Sequence, residues 1–210
     1  MPKGTITAGT KEGRIYLGKT QSNLKGALLL GLTKIEEDTS GGDVENIAAD
    51  DNPSWMTIVK PVVQEPKFTL KTLSEELKTA TGFETFSGST ARINSGKTIP
   101  VNIAFITTVT DTDKVSTEEI HVYYNLTLKQ AKPSYETGTS NAADFVFEST
   151  ASNVDFIDTD GKKKSGSLLT INETDPIYTH VKETLFGDLL TGDNAQLMTP
   201  QDIADYKKTN

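Results

Sequence analysis

The chain has 210 residues, no cysteine and a net charge of −8, from 29 acidic and 21 basic side chains. The absence of cysteine excludes a disulfide framework and a thiolate metal site, and it is typical of an intracellular or virion protein. An acidic chain without a cluster of Lys and Arg is a poor ligand for a nucleic-acid backbone. The length is sufficient for one large β-rich domain with its own core.

The N-terminal part of the sequence predicts an arm followed by short strands. Residues 1–12 are small and polar, which indicates a flexible arm, and they lack the apolar stretch of a signal peptide. No apolar run is long enough to span a bilayer, so we expect no membrane association. Apolar or alternating stretches then predict strands at residues 14–18, 27–36, 43–50, 56–63 and 67–71.

Three short helices are predicted from their start signals. The sequence Thr-Leu-Ser-Glu opens a helix at residues 72–82, because the Thr and Glu side chains of such a capping box bind each other's main-chain N–H. Asp175 is an N-cap followed by proline, and apolar residues then recur at four-residue spacing. A third helix is predicted after Thr199, which also precedes a proline.

The strongest strand signal is a long hairpin at residues 99–130, joined by a charged turn at residues 111–119. Period-2 alternation predicts two strands, each with one apolar face. On the first strand this face carries Val101, Ile103, Phe105, Thr107 and Val109. On the second strand it carries Ile120, Val122, Tyr124, Leu126 and Leu128.

The strands after this hairpin are shorter. Residues 144–149 and 153–158 alternate, and we interpret them as a pair of strands. Asp160 and Gly161 predict a type I′ turn, with the basic run 162–164 at its tip, before a strand at residues 167–172.

No motif in the sequence carries a convincing catalytic or cofactor site. Residues 91–98 match a loose phosphate-binding loop, but a strand rather than a helix is predicted to follow, so we interpret them as an ordinary loop. Asp155, Asp158 and Asp160 do not have the spacing of a calcium loop. The two histidines, His121 and His180, are too few for a zinc site, and no nucleophile elbow exists. We therefore expect no enzyme, no cofactor and no metal.

Longer stretches of the chain carry a family resemblance. They are GGDVENIAADDNP at residues 41–53, FTLKTLSEELKTATG at 68–82, VNIAFITTV with EEIHVYYNLTLKQAKPSYET within 101–137, and FVFES with SLLTI within 145–171. Together they resemble the major tail proteins, or tail tube proteins, of long-tailed phages (siphoviruses) that infect Gram-positive bacteria. The resemblance covers roughly residues 13–172 and contains no catalytic signature.

The resemblance implies a mainly β fold, a two-sheet β-sandwich with one or two short flanking helices and extended arms. We expect an arm at residues 1–12, the tail tube domain at 13–187 and a C-terminal extension at 188–210. Such subunits form hexameric rings that stack into a tube, with the tape measure and tail terminator proteins as further partners. Viral DNA passes through the tube without specific binding, and the protein is made in the host cytoplasm for the virion.

Two sets of charged residues are candidates for roles in such a tube. An acidic wall would repel DNA phosphates, and the predicted lumen-facing acids are Asp43, Glu45, Asp50 and Asp51. The predicted inter-subunit contacts at the hairpin turn are Asp111, Asp113, Lys114, Glu118 and Glu119. The alternative is a monomeric β-sandwich that binds carbohydrate or a host surface, with an aromatic platform near Trp55, Tyr123 or Tyr135.

Overall fold

A computed structural model gives the fold. It describes residues 5–41, 44–49, 52–59, 62–72, 77, 83–85, 92–94, 98–111, 113, 115–129, 132–133, 145–188, 191 and 193–209. For residues 5–9, 44–49, 52–59, 83–85, 92–94, 111 and 132–133 the description is of the backbone alone.

The described elements are strands and two short helices, so the expected mainly β class is confirmed. The strands are β1 (Thr5–Leu17), β2 (Gly26–Leu28), β3 (Leu32–Glu36), β4 (Thr39–Ser40), β5 (Val44–Ala49), β6 (Asn52–Val59), β7 (Val63–Gln64), β8 (Lys67–Leu70), β9 (Phe83–Thr85), β10 (Arg92–Asn94), β11 (Pro100–Asp111), β12 (Ser116–Leu128), β13 (Lys132–Pro133), β14 (Phe145–Ala151), β15 (Val154–Ile157), β16 (Lys163–Gly166) and β17 (Leu168–Asn172). The helices are α1 (Tyr178–Phe186) and α2 (Pro200–Thr209).

The main sheet is antiparallel and forks at β12. Its order is β2-β1-β11-β12-β14-β8-β3, while β17 also pairs with β12 and β13 with β14. The first part of β12 pairs with β17, from Glu119 opposite Asn172 onward, and its last three residues pair with β14. The fork lets the β14-β8-β3 arm leave the β1-β11-β12-β17 sheet and lie over one of its faces.

A β-bulge at Asn125 marks the fork. Across the bulge the register advances two residues on β11 and three on β12, so Asn102 lies opposite both Tyr124 and Asn125. Asn125 has a φ of 47°, a left-handed conformation that Asn tolerates better than most residues. The extra residue reverses the alternation of side chains along β12.

The bulge corrects the predicted apolar face of the second hairpin strand. Ile120, Val122 and Tyr124 share one core, whereas Leu126 and Leu128 belong to the core on the opposite face. On β11 the prediction agrees with the structure for Val101, Ile103 and Phe105, which all lie in the second core.

The two cores make three layers. One core lies between the main sheet and the helices, where Val181, Leu185 and Phe186 of α1 are fully buried. The other lies between the sheet and the β14-β8-β3 arm, and it contains Phe68 and Phe147. The sandwich is therefore built from one forked sheet folded over itself, with a helical layer outside it.

Two of the predicted helices are present, although α1 begins two residues later than predicted, with Ile177 rather than Asp175 as its N-cap. The main-chain N–H of Ile177 donates to Asp175 Oδ1 just before α1. At α2 the Thr199 N–H donates to Asp202 Oδ2 at 2.8 Å, and the Asp202 N–H donates to Thr199 Oγ1 at 3.2 Å. This reciprocal exchange is a capping box. Of the predicted helix at residues 72–82, the structure describes only Leu77 beyond residue 72, and Leu77 is buried.

The structure differs from the predicted arm and extension at both ends of the chain. Residues 5–12, expected in a flexible arm, form the first part of β1 and pair with β11. In the expected C-terminal extension, Leu197, Met198 and Ile203 are buried in the core beneath the helices. The C-terminal segment is ordered by its buried apolar side chains, whereas residues 5–12 are held by main-chain pairing with β11.

Strands β3 to β8 form three nested antiparallel pairs, which we call the ribbon: β3 with β8, β4 with β7 and β5 with β6. Successive pairs run from Leu32 opposite Leu70, through Thr39 opposite Gln64, to Ala49 opposite Asn52. Its base belongs to the main sheet through β8, whereas β5 and β6 pair only with each other among the described strands.

The predicted pairing of residues 144–149 with 153–158 is wrong. β14 pairs with β12, β8 and β13, and β15 pairs with β16 instead. The turn between β15 and β16 is also wider than a two-residue turn, because the Asp158 N–H donates to Lys162 O. Gly161 lies within it at a φ of 78°.

Candidate functional site

The predicted lumen acids belong to the stretch that forms the ribbon. Glu45 lies in β5, opposite Ile58 of β6. Asp43, Asp50 and Asp51 lie outside the described residues. Their orientation towards a lumen stays a prediction.

The predicted contacts at the hairpin turn are divided between the turn and the strands. β11 extends to residue 111 and β12 begins at residue 116, so the turn is shorter than predicted. Asp111 ends β11, Asp113 is exposed in the turn, Lys114 lies outside the described residues, and Glu118 and Glu119 lie inside β12.

The Glu118 carboxylate joins three elements of the fold. Its Oε1 accepts a hydrogen bond from Lys11 Nζ of β1 at 2.9 Å. Its Oε2 accepts from Lys182 Nζ at 2.6 Å and from Tyr178 Oη at 2.7 Å, both on α1. Only 22% of the Glu118 side chain is exposed. We call Lys11, Glu118, Tyr178 and Lys182 the Glu118 cluster.

The electrostatics of the cluster favour a fully ionised Glu118. Hydrogen bonds from Lys182, Lys11 and Tyr178 lower the pKa of the Glu118 carboxyl to about 2. Burial, followed by the bond to Glu118, raises the pKa of Tyr178. The bond to Glu118 also raises the pKa of Lys11. The carboxylate is therefore charged at any physiological pH.

Glu119 is bound on the opposite face of β12. Its Oε1 accepts from Asn172 Nδ2 at 3.2 Å, and its Oε2 lies 3.7 Å from His121 Nε2. The His121 ring stacks on Phe105 with centroids 5.0 Å apart, and its Nε2 is 2.9 Å from Thr107 Oγ1. Burial lowers the pKa of His121, while Glu119 opposes this effect. Glu119 thus has intramolecular partners, as Glu118 does.

A groove of about 360 Å³ lies beside this ring stack, between β1 and β3. Its lining combines hydroxyl, charged and aromatic side chains. The lining residues are Thr10, Thr33, Lys34, Ile35, Glu37, Phe105, Thr107 and His121.

Arg14 ties β1 to the end of α1. The guanidinium is 1% exposed and donates to Phe186 O, Asp188 O and Gly13 O, each at 3.1 Å. It also lies 5.7 Å from the centroid of the Phe186 ring. A cation at a helix C-terminus satisfies carbonyls that have no intrahelical partner and complements the helix dipole. Arg14 is thus a structural cation.

One open edge of the main sheet lies along β17. Tyr124 N–H donates to Ser167 O, and Glu173 N–H donates to Glu118 O, so these two β17-side residues point towards β12. Main-chain groups alternate along an antiparallel ladder, so those of Thr170 point away from β12. No described strand pairs with β17 on that side.

A second open edge lies along the first half of β1. β2 pairs only with residues 14–16 of β1, and the Leu29 N–H donates to Gly13 O. Residues 5–12 have no paired strand on that side within the described parts of the chain. The two open edges are on opposite sides of the β1-β11-β12-β17 sheet.

The structure also bears on the alternative sites. In the phosphate-loop match, Thr98 and Ile99 lead directly into β11 rather than into a helix. Tyr123, one of the three aromatic residues considered for a binding platform, is fully buried and donates to Glu37 Oε1. The Trp55 side chain and Tyr135 lie outside the described residues.

Within the described residues, no three His, Asp or Glu side chains come together as a metal site. Neither α1 nor α2 is long and apolar enough to cross a membrane, nor is any other helix in the described parts of the chain.

Comparison with known proteins gives similarity to solved structures alone. No family model and no curated protein matches the chain. An Hcp protein is 10% identical with a TM-score of 0.36, covering 75% of this chain and 99% of its own. Hcp1 from Flavobacterium johnsoniae is 12% identical with a TM-score of 0.33, covering 78% and 100%.

A third similar structure is the sheath-tube complex of an extracellular contractile injection system, PVC, in the extended state. It is 10% identical with a TM-score of 0.33, covering 74% of this chain and 88% of its own.

Sequence reasoning missed three of the four members of the Glu118 cluster. Lys11 was assigned to a flexible arm, although it lies in β1. Tyr178 and Lys182 are four residues apart on α1 and so share a face, which was a usable signal. What the sequence does not give is the pairing that brings β1, β12 and α1 together.

Proposed function

We propose that the chain is a structural subunit that assembles head to tail into rings and tubes, as a tail tube protein of a long-tailed phage of Gram-positive bacteria. The observation that carries the proposal is the pair of open edges on opposite sides of one sheet. Open edges promote uncontrolled aggregation unless a partner or a covering segment closes them. Head-to-tail pairing of copies closes both edges at once.

The strand directions support this arrangement. β1, β11, β12 and β17 are four successive antiparallel strands, so β17 runs opposite to β1. When β17 of one copy lies beside β1 of the next, the two strands are antiparallel, and the alternation continues across the junction. A heterologous contact of this kind makes a closed ring if the rotation closes, and a filament if it does not.

The dimensions suit a conduit. Six copies, the number that the family resemblance implies, contribute four strands each, which makes a ring of about 24 strands. At about 4.8 Å per strand, such a ring is roughly 37 Å across before strand tilt widens it. The chain's net charge of −8 is compatible with DNA passage, since an acidic wall gains nothing from counterion release.

The ribbon supplies a further element for assembly. Its outer part, β5 and β6, pairs with no other described strand and carries Glu45. Such a pair of strands is suited to contact a neighbouring copy in the same ring or in the next ring. The tape measure and tail terminator proteins as partners, the virion as location, and lumen-facing Asp43, Asp50 and Asp51 all belong to this proposal.

The test combines electron microscopy with one edge substitution. Thr170→Pro removes an outward N–H donor from β17 without removing a donor to β12. Thr170→Val keeps the N–H group and is the matched control. Wild type and Thr170→Val should form rings or tubes in negative stain as concentration rises, whereas Thr170→Pro should remain monomeric with a cooperative melt. Tubes from Thr170→Pro would contradict pairing at this edge, and a wild type that stays monomeric would contradict the assembly role.

A further inference from the structure

The first half of β1 has a weakly defined register. Its pairing with β11 shifts twice, between Ala8 and Thr10 and between Thr10 and Glu12. Residues 5–12, TITAGTKE, contain one large apolar side chain and two charged ones. Strands that lack a clear apolar face are prone to slip, and a slip of one residue turns every side chain to the other face.

The second half of β1 is anchored by burial. Ile15 and Tyr16 are fully buried, in the two different cores. Arg14 binds the carbonyls at the end of α1. These contacts fix β1 from residue 14 onward, beyond both register shifts and beyond the open stretch of edge.

Lys11 connects the irregular half of β1 to the rest of the fold. It lies within the second register shift, between Thr10 and Glu12, and its ammonium reaches Glu118 on β12, past the intervening strand β11. Glu118 is in turn bound by Tyr178 and Lys182 of α1. A slip of β1 by one residue would carry Lys11 to the opposite face and break this contact.

We propose that the Glu118 cluster is a register clamp that fixes the open edge of β1 for pairing with a second copy of this chain. The inference rests on the proposed assembly role and adds the residues that set its register. Glu118 is a positioning residue, because it acts on the edge through its bond to Lys11. Glu118, predicted from the sequence as an inter-subunit contact, thus acts on the interface from inside the subunit.

The experiment measures edge order and assembly separately. Lys11→Met removes one arm of the cluster, and Glu118→Gln removes the charge that all three donors share. Lys34→Met is the control, because it breaks a 2.7 Å ion pair with Glu36 on β3, whose side chains are 60% and 48% exposed. Hydrogen exchange of residues 5–12 is followed in dilute monomer, and the critical concentration for tubes is followed by sedimentation and electron microscopy.

We expect exchange at residues 5–12 to be about fivefold faster in Lys11→Met and at least as fast in Glu118→Gln, because each substitution removes a contact that holds β1 to β12. The critical concentration should rise by a similar factor, while exchange in the buried strands and in Lys34→Met stays at the wild-type rate. Lys11→Arg, which keeps the charge, should restore both readouts.

The two proposals fail in different ways. Unchanged exchange at residues 5–12 in both Lys11→Met and Glu118→Gln would overturn the clamp, whether or not the protein forms tubes. Equal acceleration throughout the protein would also overturn it, since that marks general destabilisation. A wild type that never assembles would overturn the assembly role and, with it, the pairing of β1 with a second copy. The exchange data would still show whether the Glu118 cluster orders residues 5–12 within the subunit.

Discussion

The main-chain N–H of Asn125 donates a 3.0 Å hydrogen bond to the side-chain oxygen of Asn102, at the point where β12 carries one residue more than β11. Asn102 Nδ2 donates to Gly18 O, and Asn125 Oδ1 accepts from the Thr20 N–H and hydroxyl. The two Asn side chains therefore hold the bulge and the end of β1 together. Because β12 changes partner from β17 to β14 here, this pair sets where the sheet forks.

Asn125→Ala should destabilise the protein by about 2 kcal/mol. The substitution loses two hydrogen bonds from Thr20 and places an alanine at a left-handed φ. Asn125→Gly loses the same hydrogen bonds but adopts this φ without strain, so we expect about 1 kcal/mol. Urea denaturation measures both. An Asn125→Ala protein as stable as wild type would contradict a structural role for the bulge.

The bulge also explains part of what the sequence could and could not predict. Period-2 alternation located β11, β12, β14 and β17, because each has a buried face. It put Leu126 on the same face as Tyr124, since one inserted residue is invisible to a periodic pattern. The signal that could have revealed it is Asn125 itself, a residue enriched at positive φ within an otherwise β-branched and aromatic strand.

The helices could be predicted from the sequence, whereas the candidate site could not. Thr199 predicts the start of α2, and Asp175 places the start of α1 to within two residues, because such start signals are local chemistry. The Glu118 cluster depends on three distant segments that meet only in the fold, so it could not be predicted. The composition of the acidic stretch predicts a charged wall, whereas the strand pairs that it forms depend on register and could not be predicted.

Arg14→Met should destabilise the protein by about 2–4 kcal/mol, because it leaves buried carbonyls at the end of α1 without a donor. Arg14→Lys keeps the charge but lacks the planar fork, so we expect an intermediate loss. Urea denaturation at neutral pH gives both values. If Arg14→Met lowered the free energy of unfolding by no more than a typical surface substitution does, the hydrogen bonds from Arg14 to the end of α1 would not stabilise the protein.

The contribution of Glu118 to stability should disappear on acidification. Its pKa is about 2 in the fold and 4.5 as the ordinary value, so the folded state favours the ionised form. For a lowered carboxyl pKa, the stabilisation is complete above the ordinary value and is lost as pH falls towards the folded value. The difference in unfolding free energy between wild type and Glu118→Gln should therefore be constant from pH 6 to 8, in the range of about 1–2 kcal/mol. It should decline between about pH 4.5 and 2. A difference that persists unchanged to about pH 2 would mean that the effect of the substitution is not electrostatic.

The C-terminal segment should be required for folding rather than for assembly alone. Ile203 of α2 is 5% exposed and packs in the core between the helices and the main sheet. Ile203→Ala should therefore lower the free energy of unfolding by about 2–4 kcal/mol. Ile157→Ala removes the same atoms from a side chain that is 49% exposed, and it should cost less than about 1 kcal/mol. Thermal and urea unfolding measure the pair. Removal of residues 188–210 should likewise abolish the cooperative melt. The prediction would be contradicted if the truncated chain still melted cooperatively, or if both Ile substitutions lowered the unfolding free energy equally. Either result would mean that the C-terminal segment is dispensable for folding.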